Sequence, residues 1–167
     1  MNGTSVDDDT LMSLFEAARY NPSHYNVQNH RFVYSKRDSD SWPSFVDALW
    51  EPNQAWAKDA AVLMVVLSKK TYVYNGKTIP LPSHSFEAGS AFLSMALEGT
   101  GRGLVVHAMG GYDEEKAKAA IGLTDDNYQI EAMVAVGNPT EKTSGETITP
   151  RFELEKFISE GKFVEKL

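Results

Sequence analysis

Apolar residues recur with the period of a helix near the amino terminus of the chain. They are spaced three and four residues apart and share one helical face: Leu11, Leu14, Phe15 and Ala18. Three aspartates at 7–9 precede this stripe, and carboxylates are favoured at the positive end of a helix dipole. The turn residues Asn21-Pro22 follow it. The pattern predicts a first helix from about residue 7 to residue 20.

The next part of the chain combines a strand, a helical region and a fully apolar run. Residues 30–37, HRFVYSKR, predict a strand. A second helix begins at Ser41-Trp42-Pro43, since proline is favoured in a first turn. Pro52 interrupts it, and a shorter helical piece follows over residues 53–60. Residues 61–67 are apolar on both faces, which predicts the central strand of a covered sheet.

The second half of the chain begins with a loop or hairpin that turns at Asn75-Gly76. A long helix then runs from Ser83 or Ser85 to about Gly99. We expect its inner face to carry Phe86, Gly89, Ser90, Leu93 and Leu97. A strand over 103–111 ends in two glycines. A helix over 114–122, capped by Asp113 and closed by Gly122, comes next, and the last core strand covers 130–139.

Helices and strands are mixed in this order without strict alternation. The order predicts an α+β domain in which helices pack on a sheet, and the 167 residues are one domain's worth. The tail from about 140 to 167 is polar at first and then shows a short apolar stripe, Leu154, Phe157 and Ile158. These side chains need a surface to cover them, and a partner subunit could supply it.

Composition narrows the functional classes. A net charge of −7 argues against a nucleic-acid-binding protein, which needs a basic stripe for phosphates. The absence of cysteine excludes disulfides, thiolate metal sites and cysteine nucleophiles. The acidic, polar amino terminus does not resemble a signal peptide, and the apolar run 60–67 is too short to span a bilayer. We expect a cytoplasmic protein with no nucleic-acid or membrane partner.

Several familiar motifs fail on inspection. GTGRGL at 99–104 follows a helix and lacks the dinucleotide-binding spacing, so it is interpreted as a helix end and turn. The four histidines show no paired metal spacing, so no metal site is expected, and no G-x-S-x-G nucleophile elbow is present. His107, in an apolar strand, is interpreted as a structural core or interface residue.

Three polar or glycine-rich stretches remain: the loop with Ser23, Asn26 and Gln28, the segment EPNQAW at 51–56, and Gly110-Gly111. Glycines at a strand end let the backbone approach a ligand closely, and glycine at 111 would also allow a positive φ. Together the stretches suit a planar, heteroatom-rich ligand held by amides and backbone. The same stretches also fit ordinary local structure: a polar loop, a helix cap and a strand-to-helix turn. The residues alone do not decide between a ligand site and such local structure.

Four segments in order resemble the nitroreductase family of flavoproteins. They are EAARYNPSHYNVQNHRF, EPNQAWAKDAAVLMVV, the stretch from SHSFEAGS to GGYDEEKAKAAIGL, and IEAMVAVGNP. The resemblance runs from about Asp8 to the carboxyl terminus and is strong because the order is kept. It implies an α+β sandwich with a central mixed or antiparallel sheet, flanked by helices, that forms an intertwined homodimer. It also implies that the tail packs on the partner subunit.

The resemblance further implies FMN at the dimer interface and a ping-pong cycle. NAD(P)H would reduce the flavin, and a quinone, nitro compound or similar small-molecule acceptor would reoxidise it. The residues that match family positions for cofactor binding are Ser23, His24, Asn26, Gln28, Asn53, Gly110, Gly111 and Arg151. No catalytic side chain is expected, because flavin N5 carries the chemistry.

The chain departs from the family pattern near the phosphate. Relatives have an Arg-Arg-Ser segment before the first helix, whereas no arginine precedes Arg19 here. His24 replaces a serine, and Asn29-His30 replaces Pro-Trp. One missing charge-assisted contact weakens affinity by about ten- to a hundredfold, so weaker FMN binding is expected. The alternative hypothesis is a non-catalytic or weak flavin- or ligand-binding protein of the same fold.

Overall fold

The computed structural model describes residues 1–141 and 148–165. Six strands occur in this part of the chain: β1 His30–Lys36, β2 Val62–Lys69, β3 Thr71–Tyr74, β4 Lys77–Pro80, β5 Val105–Met109 and β6 Tyr128–Gly137. Four of them form an antiparallel sheet in the order β1-β2-β6-β5. β3 and β4 form a separate hairpin around Asn75-Gly76, as the turn signal predicted.

Five α-helices accompany the sheet: α1 Asp8–Arg19, α2 Trp42–Asp47, α3 Glu51–Ala57, α4 His84–Gly101 and α5 Glu114–Ile121. Asp7 caps α1 and Asp113 caps α5, each through its carboxylate. The predicted helical piece from residue 53 begins two residues earlier, because Pro52 is tolerated in the first turn of α3. The predicted α+β fold, with helices flanking a sheet, is confirmed.

The sheet is covered on both faces, and β2 shows why its sequence is apolar throughout. Its even-numbered residues, such as Met64, pack with α1 and α4 in one core. Its odd-numbered residues, such as Leu63, pack with α2, α3 and α5 in the other. Every residue of β2 except Lys69 is buried, so the predicted central strand is confirmed.

The buried face of α4 differs from the predicted one. Phe86, Leu93 and Leu97 were expected inside, yet they are 80%, 56% and 65% exposed. The expected Gly89 is exposed as well, and Ser90 is half-buried. The buried residues are instead Glu87, Ala88, Ala91, Met95 and Gly99. Close approach to the sheet and α1 favours a small residue at the end of this side: a Cβ on Gly99 would lie 2.5 Å from Val106 Cγ2 and 3.5 Å from Leu14 Cδ2.

The predicted end of α4 is confirmed. Of the two interpretations of His107, the core position is wrong, whereas the interface position stays a prediction. GTGRGL contains the last turn of α4 and a turn in which Gly103 adopts φ 77°. His107 lies exposed on edge strand β5. Its ring packs edge-to-face with the ring of Trp56, with the ring centroids 5.0 Å apart. An apolar neighbourhood in sequence did not bury this histidine because β5 borders the sheet.

Within residues 148–165, large apolar side chains of the tail are exposed in the single chain. Leu154, Phe157 and Ile158 are 64%, 66% and 54% exposed, and Phe152 and Phe163 are still more exposed. A short 3₁₀ turn at Leu154–Lys156 is its one regular element within 148–165. The parts of the predicted tail at 142–147 and 166–167 lie outside the described residues.

Candidate functional site

The loop before β1 has an unusual backbone. Tyr25, Asn26 and Gln28 adopt left-handed φ values of 46°, 55° and 51°. Residues other than glycine avoid this region, at a cost of about 1–3 kcal/mol each. Ser23 closes the loop on itself: its hydroxyl accepts from Gln28 N–H at 2.9 Å, and its carbonyl accepts from Asn26 N–H at 3.0 Å. Such strain persists only where the surrounding structure holds it.

Glu87 on α4 provides part of that hold, and sequence reasoning missed it. Its Oε1 accepts from His24 N–H at 3.1 Å and from the Ser83 hydroxyl at 2.7 Å. Its carbonyl accepts from Asn21 Nδ2 at 3.3 Å. Glu87 is 5% exposed. In sequence it resembles an ordinary acidic residue near a helix start, so nothing there indicates burial.

The hairpin β3–β4 adds aromatic rings beside this loop. The His24 ring meets Tyr25 edge-on at 4.6 Å and Tyr72 at 5.5 Å. Tyr25 stacks on Tyr74 with ring centroids 6.0 Å apart. From sequence, Tyr72 and Tyr74 are only residues beside the expected turn at Asn75-Gly76. Their place against the loop depends on a tertiary contact that their spacing does not reveal.

The second group of predicted site residues meets where β5 ends. Gly111 O accepts from Asn53 Nδ2 at 2.9 Å and from Trp50 N–H at 3.0 Å. A Cβ on Gly111 would lie 2.7 Å from Asn53 Nδ2 and 3.2 Å from Trp50 Cε3. A Cβ on Gly110 would meet nothing within 4 Å. A side chain at 111 would therefore displace the Asn53 amide and press on the Trp50 ring. The expected positive φ there is wrong, because neither glycine has one.

The structure joins the predicted residues into two groups and leaves one apart. Ser23, His24, Asn26 and Gln28 precede edge strand β1, and Asn53 with Gly110-Gly111 lies at the end of the opposite edge strand, β5. Three strand spacings separate these edges, about 14 Å. Arg151 lies in the exposed tail and donates to the carbonyls of Thr149 and Pro150. One chain alone does not bring both groups together.

A surface groove of about 340 Å³ lies between α1 and β1. It is lined by Met12, Phe15, Arg19, Gln28, His30, Arg31, Phe32 and Tyr34. His30 is 8% exposed, and its Nδ1 has no hydrogen-bond partner within the described chain. Burial lowers the pKa of His30, the positive charge of Arg31 lowers it further, and the negative charge of Glu87 opposes the shift.

This lowered pKa predicts a pH-dependent stability. As the pH falls through the ordinary histidine value of 6.5, the unfolded chain takes up a proton that folded His30 resists. Stability present above that pH is therefore lost below it. We expect His30→Gln to lose less unfolding free energy than wild type between about pH 7.5 and about pH 5.5, measured by urea unfolding. His107→Gln, an exposed histidine, is the control, and an unchanged slope in His30→Gln would contradict the prediction.

Two negative findings concern the described residues, 1–141 and 148–165. No group of three or more His, Asp or Glu side chains there could hold a metal ion. No helix of this part of the chain is long and apolar enough to cross a bilayer.

Comparison with solved structures identifies the relationship. One structure, described as an oxidoreductase containing FMN, is 35% identical in sequence, with a TM-score of 0.92. The alignment covers 99% of this chain and 87% of the chain in that structure. A nitroreductase in complex with FMN from Desulfovibrio desulfuricans is 21% identical with a TM-score of 0.76, covering 96% and 88%. A nitroreductase family protein from Clostridium difficile is 16% identical with a TM-score of 0.73, covering 96% and 90%.

No protein-family model and no curated protein matches the chain. The identity and coverage of the first structure nevertheless exceed what a shared fold alone would give, and the fold agrees with nitroreductase structures over nearly the whole length. The loop at 22–28, the Asn53–Gly111 contact and the antiparallel sheet between two helical layers occur together in this chain. The chain belongs to the nitroreductase family of oxidoreductases.

Proposed function

We propose that the protein is an FMN-dependent oxidoreductase that transfers hydride from NAD(P)H to a quinone, nitro compound or similar acceptor. The observation that carries this proposal is the 35% identical structure that contains FMN and aligns with 99% of the chain. Bound FMN would supply hydride transfer at its N5 atom, so the protein needs no acid–base pair for that step.

The residues at the end of β5 fit a flavin. Gly110 has open space where a side chain would stand, so its backbone is accessible to a flat ring. Asn53 is oriented by its bond to Gly111 O, which engages Nδ2 and leaves Oδ1 as the acceptor for a ligand N–H. Trp50 donates to the same carbonyl and fixes the turn. These groups hold and orient a planar heterocycle.

The loop at 23–28 fits the cofactor's polar periphery. Its strained backbone displays the side chains of His24, Asn26 and Gln28, whose donors and acceptors are of the kind that a ribityl chain or pyrimidine edge requires. The internal bonds of Ser23 to Gln28 and Asn26 hold that display in place. Arg151 would add a cation for the phosphate.

A homodimer would unite the two groups. The exposed apolar face of α4, with Phe86, Leu93 and Leu97, is a surface that solvent does not favour. The exposed apolar residues of the tail add to it. A two-fold axis could place the loop of one subunit against the glycine pair of its partner, twice per dimer. We propose that the cofactor sites lie at that interface and that the tail packs on the partner.

Titration with FMN tests this function. We expect flavin fluorescence to change on adding protein, with one FMN bound per chain, and the bound flavin to be bleached anaerobically by NADH or NADPH and recoloured by a quinone. Riboflavin, which lacks the phosphate, serves as the control for phosphate recognition. Binding without reduction would favour a non-catalytic flavin-binding protein. No binding at millimolar FMN would reject the proposal.

A further inference from the structure

We propose that Glu87 is a positioning residue that fixes the conformation of the loop at 23–28 for cofactor binding. The inference rests on the proposed function, because the loop is the segment that would contact FMN. Glu87 belongs to α4 and is not among the eight residues that match family positions for cofactor binding, so its role is argued from the contacts of this chain.

The segment 21–29 is attached to the first turns of α4 at its start, middle and end. At the start, Asn21 is held between Glu87 O, to which it donates at 3.3 Å, and the Ser90 hydroxyl, from which it accepts at 2.7 Å. In the middle, His24 N–H donates to Glu87 Oε1 at 3.1 Å. At the end, Asn29 Nδ2 donates to His84 O at 3.1 Å. The side chain of Glu87 supplies the contact nearest the strained residues.

Burying the Glu87 carboxylate is unfavourable unless hydrogen bonds offset the loss of its hydration. Its neighbours on the inner face of α4, Ala88, Ala91 and Met95, are apolar, as packing alone would select. Glu87 Oε1 accepts two hydrogen bonds, whereas Oε2 has no partner within the described chain. Packing alone would select an apolar side chain at this buried position. The presence of a carboxylate is explained by the hydrogen bond that it accepts from the loop N–H.

Strain in the loop makes that bond consequential. Tyr25 and Asn26, which directly follow His24, adopt left-handed φ values of 46° and 55°. Without an acceptor for His24 N–H, these residues have less to oppose their return to ordinary conformations. The loop would then sample many arrangements, and only a fraction would present Asn26 and Gln28 correctly. Apparent affinity for a ligand falls in proportion to that fraction.

Glu87→Ala, Glu87→Gln and Glu131→Ala test the inference in the full chain. Alanine removes the acceptor, whereas glutamine retains an amide oxygen for His24 N–H and the Ser83 hydroxyl. Glu131 is the matched control: its Oε1 accepts from the hydroxyls of Ser68 and Ser85 beside the start of α4, and both of these partners lie outside the loop. Both alanine variants should lose stability.

We expect Glu87→Ala to weaken FMN binding by between about tenfold and about a hundredfold, the effect of losing a hydrogen bond to a charged group. Glu87→Gln and Glu131→Ala should bind FMN within a few-fold of wild type. In the FMN-free protein, Glu87→Ala should also speed hydrogen exchange at the amides of His24, Asn26 and Gln28, and the other two variants should not.

The outcomes separate this inference from the proposed function. If wild type binds FMN and Glu87→Ala binds it equally well, the positioning role is wrong and the function stands. Equal losses in Glu87→Ala and Glu131→Ala would also overturn it, since they would reflect general destabilisation. If wild type does not bind FMN, the proposed function fails. In that case, faster hydrogen exchange in Glu87→Ala alone would still support the role of Glu87 in fixing the loop. Unchanged hydrogen exchange would reject that role as well.

Discussion

Replacing Gly111 with valine is expected to remove FMN binding and to destabilise the fold. A Cβ at this position would lie 2.7 Å from Asn53 Nδ2 and 3.2 Å from Trp50 Cε3, so the Asn53 side chain must move. Its bond to Gly111 O would break, and Asn53 would lose the orientation with which it could meet a ligand. Overpacking of this kind costs about 1–3 kcal/mol, or several degrees in Tm. Thermal unfolding and FMN titration measure the two effects.

Two other glycines separate the effect on stability from the effect on FMN binding. Gly122 has φ 66° and closes α5, so Gly122→Val should lose stability through backbone strain while FMN affinity is retained. Gly110 has open space, so Gly110→Val should keep its Tm yet obstruct a flavin that lies over this backbone. If both Gly110→Val and Gly111→Val bind FMN as wild type does, the glycine pair is only a strand-to-helix turn and the flavin lies elsewhere.

Leu93→Asp is expected to convert a dimer into a monomer. Leu93 is 56% exposed on the uncovered face of α4, so a charge there should leave the single chain folded. In a two-fold interface the change occurs twice. Each side loses about 1.5–3 kcal/mol of apolar burial and gains a carboxylate that costs several kcal/mol to desolvate. Light scattering at micromolar concentration should show the mass of one chain, and FMN affinity should fall because the composite site is lost.

Val73→Asp is the matched control for this change. Val73 is 69% exposed and belongs to the hairpin strand β3, not to α4, so its replacement should leave the mass unchanged. A wild-type protein with the mass of one chain, unaltered by FMN, would contradict the dimer. A dimeric Leu93→Asp would move the interface away from this face of α4.

Local signals in the sequence determined where the elements lie. The caps Asp7 and Asp113 fixed helix starts, Asn75-Gly76 fixed the hairpin, and the apolar run of β2 fixed the centre of the sheet. Each depends on residues adjacent along the chain, whose conformational preferences are the same in any fold. The family resemblance was recognisable from sequence for the same reason, because it depends on short local motifs that follow one another in the family's order.

Only the tertiary structure decided which surfaces are buried and which residues meet. α4 has apolar residues on more than one face, and the face with small side chains was buried because the backbone of α4 approaches the sheet closely at Gly99. Glu87 became a partner of His24 through a contact between residues 63 positions apart. The order β1-β2-β6-β5 set the two groups of site residues at opposite edges. Burial and such contacts depend on which distant segments pack together, and that choice minimises the free energy of the whole chain.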